Sequence, residues 1–339
     1  MANTKPDTAP EAAVEHGGSL AAARAQFPNA PEPWIDLSTG INPVAYPAPD
    51  LTGDAYRRLP DPAGIATLED AAARAYGLNQ PGSVAAAPGT QSLIGLIPQL
   101  FPARRVGILA PTYGEYAPAW RAAGAEVAEV ARFDGLDGFD CAVVCNPNNP
   151  DGRTVSAGEI CALAGRFAAR GGLVVVDEAF ADFAGADVSA APFMPQPGLV
   201  LLRSFGKAYG LAGLRLGFAL ALPGVLEPLR AALGPWPVSG AAVRIGAVAL
   251  ADSDWRVTTE ARLEDDIRRL DRLLRTAGFE IAGGTSLFRL AAGADAAAAY
   301  RRLGQAGIFV RRFAARSDWL RFGLPGPETA WARLEAALA

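Results

Sequence analysis

The feature that most constrains the fold is an alternation of short apolar runs with helix-like segments between residues 67 and 221. The runs are rich in Val, Ile and Leu, and stretches with apolar residues at helical spacing separate most of them. Strands that are buried on both faces of a parallel sheet have this composition, and helices connect such strands. The sequence therefore predicts an α/β fold with a mostly parallel sheet.

The two ends of the chain differ from this middle part. The N-terminal stretch is rich in Pro and Gly and has few helical signals, which predicts a tail and an arm. A long helical pattern at 254–277 is followed by shorter strand-like and helical segments, which predict a smaller α+β domain. We therefore divide the chain into an arm at 1–45, a large domain at 46–235 and a small C-terminal domain at 236–339.

Charge and hydropathy exclude several classes of partner. The net charge of -4 lacks the basic excess that a nucleic-acid surface needs. No apolar run approaches the roughly 18–20 residues that span a bilayer, and the first ten residues lack a secretion signal, so we expect a cytoplasmic protein without a membrane partner. Cys141, Cys145 and Cys161 are interpreted as core thiols. With a single histidine they offer no metal-ligand spacing, so no metal is expected.

Lysine is rare in this chain. Of the 31 basic residues only Lys5 and Lys207 are lysines, and the others are arginines. A lysine outside the tail therefore indicates a function that a guanidinium cannot perform, and nucleophilic amine chemistry is one. Ser204, Lys207 and Arg215 supply a hydroxyl, an amine and a guanidinium from one loop after a predicted strand. This set suits an aldehyde that carries a phosphate.

Two further segments have the polarity of a ligand site. An apolar strand ends in Asp177, and a carboxylate at the carboxyl end of a parallel strand points into the ligand crevice. Such a carboxylate could pair with a protonated pyridine nitrogen, although capping of the next turn is an alternative. Gly89 and Thr90 join a strand to a helix, where backbone N–H groups favour a phosphate.

Five motifs in this order resemble the fold-type I pyridoxal-phosphate enzymes, in the branch that contains histidinol-phosphate aminotransferase. The motifs are Gly-Thr at 89–90, Pro-Thr-Tyr-Gly at 111–114, Asn-Pro-Asn-Asn-Pro at 146–150, Asp-Glu-Ala-Phe at 177–180, and Ser204, Lys207 and Arg215. The resemblance extends from about residue 16 to the C-terminus. It implies pyridoxal 5'-phosphate as the cofactor, a seven-stranded sheet between helices, a small domain, an arm, and a homodimer.

The same resemblance implies a role for each matching residue. Lys207 would form an imine with the cofactor aldehyde, and Asp177 would pair with the pyridinium nitrogen. Asn149 would hydrogen-bond the ring O3′, and Tyr113 would stack on the ring. The expected ligands of the cofactor phosphate are Gly89, Thr90, Ser204 and Arg215.

Two positions depart from the pattern of the relatives. Many relatives have Tyr where this chain has Phe180, and that hydroxyl normally helps Asn149 to hold O3′. Relatives also commonly carry a Tyr that reaches the cofactor phosphate of the partner subunit, whereas this chain has Leu59 before Pro60-Asp61. The cross-subunit contact is therefore not expected from this position.

Two arginines near the C-terminus are candidate substrate ligands. Arg311 and Arg321 follow short apolar runs that predict strands. In related enzymes the residue matching Arg321 binds the substrate carboxylate, and the residue matching Arg311 lies near a substrate phosphate. Bidentate guanidinium geometry suits both anions. A solvated surface position is the alternative for Arg311.

The arm carries the more specific resemblance. His-Gly-Gly at 16–18, the segment Asp-Leu-Ser-Thr-Gly-Ile-Asn-Pro at 36–43, and Phe180 resemble the L-threonine-O-3-phosphate decarboxylases of cobalamin biosynthesis. This resemblance implies that His16, Gly17 and Arg311 contact a substrate phosphate. Some members have Asn where this chain has Gly40.

The resemblance implies a reaction as well as a substrate. The expected activity is decarboxylation of L-threonine-O-3-phosphate to (R)-1-amino-2-propanol O-phosphate, with Lys207 returning a proton to Cα. Arg321 would hold the substrate carboxylate out of the ring plane. Because the same parts serve both reactions, an aminotransferase of the histidinol-phosphate type is the alternative. A cofactor-binding but catalytically idle protein is a further one.

Overall fold

The computed structural model describes residues 16–78 and 80–339. The helices are α1 (Leu20–Gln26), α2 (Asp54–Arg57), α3 (Pro62–Ala75), α4 (Thr90–Leu100), α5 (Tyr116–Ala122), α6 (Ala157–Ala168), α7 (Phe205–Ala208), α8 (Pro223–Leu233), α9 (Gly240–Ala251), α10 (Ser253–Thr276), α11 (Ala296–Gln305) and α12 (Glu328–Leu338). The strands are β1 (Ile35–Leu37), β2 (Val84–Ala87), β3 (Arg105–Leu109), β4 (Glu126–Val130), β5 (Cys141–Cys145), β6 (Leu173–Asp177), β7 (Leu199–Ser204), β8 (Gly217–Leu220), β9 (Glu280–Thr285), β10 (Phe288–Ala292), β11 (Ile308–Phe313) and β12 (Arg316–Gly323). Short 3₁₀ turns occupy Phe133–Gly138, Ala191–Phe193 and Ala212–Leu214.

A seven-stranded sheet forms the centre of the large domain. Its strand order is β2-β8-β7-β6-β5-β3-β4, and only β8 runs antiparallel to its neighbours. β5 and β6 are buried almost along their whole length because both faces of the sheet are covered. The predicted mostly parallel sheet is confirmed.

A second sheet of five strands has the order β1-β11-β12-β10-β9. Its core includes the apolar stripe of α10, with Leu263, Ile267, Leu270 and Leu274 at helical spacing. β1 belongs to the arm, yet it pairs in parallel with β11. The arm is thus tied to the C-terminal part of the chain by backbone hydrogen bonds.

The helix α9 follows the large domain in the chain and packs against α3 and α2. Its residues Ala242, Val243, Ala249 and Leu250 belong to the same buried cluster as the seven strands. The core of the large domain therefore continues to residue 250, past the boundary at 235 that we expect from the sequence. As a division of the chain, that boundary stays a prediction.

The strands place several polar residues at one edge of the large sheet. Cys145, Asp177 and Ser204 are the last residues of β5, β6 and β7, which run parallel to one another. The chain leaves β2 at the same edge and enters α4 through Gly89. Over the described residues, no helix combines the length and the apolar character that crossing a membrane would require.

Candidate active site

A cavity of about 290 Å³ lies at this edge, and most of the residues predicted for the site line it. The sequence-predicted residues on its wall are His16, Gly17, Gly89, Thr90, Tyr113, Asn149, Asp177, Ser204, Lys207, Arg215 and Arg321. Arg311 is not part of the wall. The fold thus brings together residues as distant in the chain as His16 and Arg321.

Lys207 supplies an amine to this cavity from the short helix α7. Its side chain is half-buried, and the Nζ atom lies 5.6 Å from the centroid of the Phe180 ring. Burial and, next, the positive charge of Arg321 lower the pKa of Lys207 to about 8, although Asp177 opposes the shift. A lysine with this pKa is partly neutral near physiological pH and can attack a carbonyl carbon.

Asp177 is a buried carboxylate at the end of β6. The Tyr116 hydroxyl donates to its Oδ2 at 2.8 Å, and the backbone N–H of Ala179 donates to its Oδ1 at 3.0 Å. Burial raises the pKa of Asp177, and the two hydrogen bonds oppose that rise. A buried anion of this kind is stabilised by a cation, and a protonated pyridine nitrogen fits this requirement.

Tyr116 contacts a predicted site residue, and the sequence reasoning missed it. It begins α5, three residues after the predicted Tyr113, and it is fully buried. Burial and the neighbouring Asp177 hold the pKa of Tyr116 well above its usual range, so the hydroxyl keeps its proton and stays a donor. The available signal was a second tyrosine two residues after the Pro-Thr-Tyr-Gly motif.

A cradle for an anion lies at the start of α4. Gly89 has φ of +79°, and a Cβ atom at this position would lie 2.6 Å from Nη2 of Arg215. Arg215 itself has φ of +55°, a left-handed conformation that costs a non-glycine residue about 1 kcal/mol. The glycine therefore lets a guanidinium approach the open N–H groups of the helix, and this combination fits a phosphate.

Tyr113 and Asn149 lie on the wall between these groups. The Tyr113 hydroxyl donates to Oε1 of Gln91 at 3.1 Å. Burial, and then the charges of Glu115 and Asp177, raise the pKa of Tyr113 to about 12. The Oδ1 atom of Asn149 accepts a hydrogen bond from Nη1 of Arg321, which leaves the amide Nδ2 as the donor of this side chain.

Arg321 is a buried guanidinium on β12. Its Nη2 donates to the carbonyl of Ser38 at 2.8 Å, and its guanidinium lies 5.0 Å from the centroid of the Phe288 ring. Burial and the charge of Arg311 lower the pKa of Arg321 to about 10. It remains a cation at neutral pH, and it has a buried Nε without a hydrogen-bond partner among the described residues. These properties suit a residue that binds a carboxylate.

Arg311 lies next to Arg321 but outside the cavity wall. The two residues are direct partners in the antiparallel pair of β11 and β12, so their side chains leave the same face of the sheet. Like charges directly opposite each other are unfavourable unless an anion compensates them. The pair thus places a second arginine beside the buried Arg321, and the charge of Arg311 contributes to the lowered pKa of Arg321.

Phe180 and Gly40 are packed against each other. The Phe180 ring meets the Phe288 ring edge-on at 5.1 Å. A Cβ atom at residue 40 would lie 2.8 Å from Phe180 and 2.9 Å from Phe288. Gly40 thus makes room for two aromatic rings. This packing explains the glycine at residue 40, and the sequence alone did not reveal it. The other departure, Leu59, is exposed.

The arm crosses the mouth of the cavity at His16 and Gly17. The His16 Nε2 atom lies 2.7 Å from Oε1 of Glu115, and the backbone N–H of Gly18 donates to the hydroxyl of Ser38 at 2.7 Å. A Cβ atom at Gly17 would lie 2.4 Å from the Ser38 carbonyl oxygen. Sequence reasoning identified the histidine and the glycine, but it missed Ser38 and Glu115, the two residues that contact them.

Comparison with known proteins shows which family this chain matches. The sequence model of the family described as aminotransferase class I and II matches residues 32–335. A threonine-phosphate decarboxylase of Pseudomonas aeruginosa is 41% identical over 328 residues, which cover 96% of this chain and 97% of that protein. A threonine-phosphate decarboxylase of Sinorhizobium sp is 43% identical over 332 residues, with 97% and 98% covered. A solved structure of histidinol-phosphate aminotransferase from Sinorhizobium meliloti in complex with pyridoxal-5'-phosphate gives a TM-score of 0.80 at 23% identity, covering 99% of this chain and 97% of that one.

Proposed function

Because the chain belongs to the aminotransferase class I and II family, we propose that it is a pyridoxal-phosphate-dependent decarboxylase of L-threonine-O-3-phosphate. The products are CO₂ and (R)-1-amino-2-propanol O-phosphate. Two relatives that carry the name threonine-phosphate decarboxylase match nearly the whole chain at 41% and 43% identity. The structural observation that carries the proposal is a single cavity that joins an amine of lowered pKa, a buried carboxylate, an anion cradle and a buried guanidinium.

The residues of this cavity fit the cofactor. The Lys207 amine would hold its aldehyde end, and Asp177 would hold its ring nitrogen in the protonated form with the help of Tyr116. When bound, pyridoxal phosphate supplies an aldehyde that takes up the substrate amine and a ring that accepts the electron pair of a broken bond at Cα. The cofactor phosphate would be bound by four residues, namely Gly89, Thr90, Ser204 and Arg215. Asn149 would donate from Nδ2 to the ring oxygen.

The substrate is an amino acid with two anionic groups, and the site offers cations for both. Arg321 would bind the carboxylate, and its buried position favours a charge-assisted pair over solvation. His16, Gly17 and Arg311 would bind the phosphate at the mouth of the cavity. The two ends of the substrate are thereby held while the reacting carbon lies near Lys207.

Loss of CO₂ from the substrate is balanced by the uptake of one proton at Cα. The bond between Cα and the carboxylate carbon breaks, and the carboxylate leaves as CO₂. The Lys207 ammonium gives a proton to Cα, which leaves the neutral amine. Arg321 would favour this route by holding the carboxylate in the orientation that makes its bond to Cα the one that breaks.

A direct assay separates this function from its alternative. Purified enzyme loaded with cofactor is incubated with L-threonine-O-3-phosphate and 2-oxoglutarate, and both CO₂ and glutamate are measured. Release of CO₂ without glutamate supports the decarboxylase. Formation of glutamate without CO₂ contradicts it and indicates an aminotransferase. A Lys207→Ala variant is the control for activity from contaminating enzymes.

We further propose that the protein acts as a homodimer in the cytoplasm and that its product enters cobalamin biosynthesis. Four large apolar side chains, Tyr56, Leu59, Trp236 and Val248, are exposed in and beside α2 and α9, which pack together, and such a surface suits a subunit interface. Light scattering tests the dimer, and a fully active monomer would contradict it.

The three cysteines are free thiols, as is usual in a reducing compartment, and this supports the proposed location in the cytoplasm.

A further inference from the structure

A chain of three polar contacts runs along the mouth of the cavity from the arm to Tyr113. The His16 Nε2 atom contacts Oε1 of Glu115 at 2.7 Å. The other carboxylate oxygen accepts from Nε2 of Gln91 at 3.1 Å, and Oε1 of Gln91 accepts from the Tyr113 hydroxyl at 3.1 Å. Because Tyr113 keeps its proton, its hydroxyl stays a donor to Oε1 of Gln91. The Gln91 amide is thereby oriented with its Nε2 toward Glu115. The Glu115 carboxylate therefore has a defined orientation toward His16.

The backbone of the arm is fixed independently of Glu115, by its contacts with Ser38. Gly17 and Gly18 rest on Ser38, which also accepts a hydrogen bond from Arg321. Ser38 is fully buried, and its hydroxyl donates to Asp36 at 2.6 Å. With the backbone held at Ser38, the contact with Glu115 determines where the half-exposed imidazole lies.

Glu115 places a negative charge beside a site that we propose binds a phosphate. A carboxylate at the mouth of a site for a phosphorylated substrate repels the phosphate, unless its charge is engaged by a donor. In the structure both carboxylate oxygens are engaged, one by the imidazole and one by an amide. A carboxylate at this position is explained if its function is to orient the His16 imidazole.

We propose that Glu115 is a positioning residue that holds His16 against the substrate phosphate. The proposal rests on the proposed function, since it takes the phosphate of L-threonine-O-3-phosphate as the group that His16 contacts. Glu115 itself then has no contact with the substrate and acts only through the imidazole. It is a determinant of the preference for a phosphorylated over an unphosphorylated ligand.

The test compares two ligands that cannot lose CO₂. Binding of (R)-1-amino-2-propanol O-phosphate and of (R)-1-amino-2-propanol to the holoenzyme is measured by titration calorimetry. Glu115→Gln is expected to weaken the phosphorylated ligand by about three- to tenfold, because an orienting charge-assisted contact is lost. The unphosphorylated ligand is expected to change by less than about twofold, since the site that holds its amine is intact. Glu129→Gln removes the same charge from an exposed position on β4 and is the matched control.

A double mutant tests whether Glu115 acts through His16. His16→Ala is expected to weaken the phosphorylated ligand at least as much as Glu115→Gln, and the double variant is expected to be no weaker than His16→Ala alone. Additive losses would overturn the proposal, and so would tighter binding by Glu115→Gln, which would show simple charge repulsion. An unchanged phosphate preference in Glu115→Gln would also overturn it. If the unaltered enzyme does not prefer the phosphorylated ligand, the proposed substrate fails instead.

Discussion

The pKa of Lys207 gives the sharpest quantitative prediction of the structure. Its value of about 8 lies well below that of an ordinary lysine, and burial is the largest cause. At pH 7 a pKa of 8 leaves roughly one amine in ten neutral, whereas a pKa of 10.5 leaves about one in three thousand. The cavity therefore raises the concentration of the nucleophilic form roughly 300-fold at pH 7.

Two substitutions should move this pKa in opposite directions. The positive charge of Arg321 lowers the pKa of Lys207, so Arg321→Leu should raise it. The negative charge of Asp177 raises the pKa, so Asp177→Asn should lower it. In both cases the sign follows from whether a neighbouring charge favours the ammonium or the neutral amine.

Competitive labelling measures this pKa in the protein without cofactor. The chain has only two lysines, so acetylation by a small anhydride can be followed on each by peptide mass spectrometry from pH 6 to 11, with Lys5 as the reference in the same sample. The account predicts a midpoint near 8 for Lys207, a higher one in Arg321→Leu and a lower one in Asp177→Asn. A midpoint equal to that of Lys5, or shifts of the same sign in both variants, would show that burial and the two neighbouring charges do not set the pKa of Lys207.

Three further predictions concern buried contacts. Tyr116→Phe removes a donor from the Asp177 carboxylate and should lower the free energy of unfolding by about 1.5–3 kcal/mol at pH 7. Because loss of this donor raises the folded-state pKa of Asp177 further, the deficit should be largest where the carboxylate is ionised and should shrink as the pH falls and the carboxylate takes up a proton. Urea unfolding at several pH values measures the deficit, and an equal deficit at every pH would contradict the prediction. Gly40→Ala forces a methyl group against Phe180 and should cost about 1–3 kcal/mol in the same assay, with partial recovery in a Phe180→Leu background; no loss would contradict the packing. Gly89→Ala should weaken binding of pyridoxal phosphate, measured by fluorescence titration, because the left-handed backbone and the nearby guanidinium leave no room; unchanged affinity would exclude the cradle.

The fold was largely predictable because its signal is local. The runs of Val, Ile and Leu predict strands buried on both faces, and the sheet contains them in a mostly parallel arrangement. The family that the motifs resemble is also confirmed by the match over residues 32–335. What local patterns could not give is the pairing of β1 with β11, since hydrogen bonds between strands so distant in sequence leave no periodic signature.

All predicted site residues except Arg311 line one cavity, while the contacts that support them were not predictable. Lys207 and Asp177 stand in motifs whose residue types carry the chemistry, so a sequence comparison finds them. The supporting contacts cross long sequence distances: Tyr116 contacts Asp177, Ser38 contacts Arg321, and Glu115 contacts His16. Glutamate is common in loops and helices, so nothing in the sequence distinguishes Glu115 from a surface position, and neither Tyr116 nor Ser38 carries a residue type that by itself indicates its partner.

Two positions at which this chain differs from its relatives, Phe180 and Gly40, also show what the sequence alone could not predict. Phe180 and Gly40 are separate differences in the sequence, one an absent hydroxyl and the other an absent amide. In the structure they form one packing unit with Phe288, because a side chain at residue 40 would collide with both rings. Such a coupling depends on three-dimensional contact, and a one-position comparison cannot reveal it.

The central claim is that the amine of Lys207 holds the aldehyde of the cofactor. Holoenzyme is reduced with borohydride, digested and analysed by mass spectrometry, with Lys5 again as the reference lysine. The account predicts a pyridoxyl phosphate group on Lys207 and none on Lys5. An unmodified Lys207 in fully loaded enzyme, or a modification confined to Lys5, would contradict it.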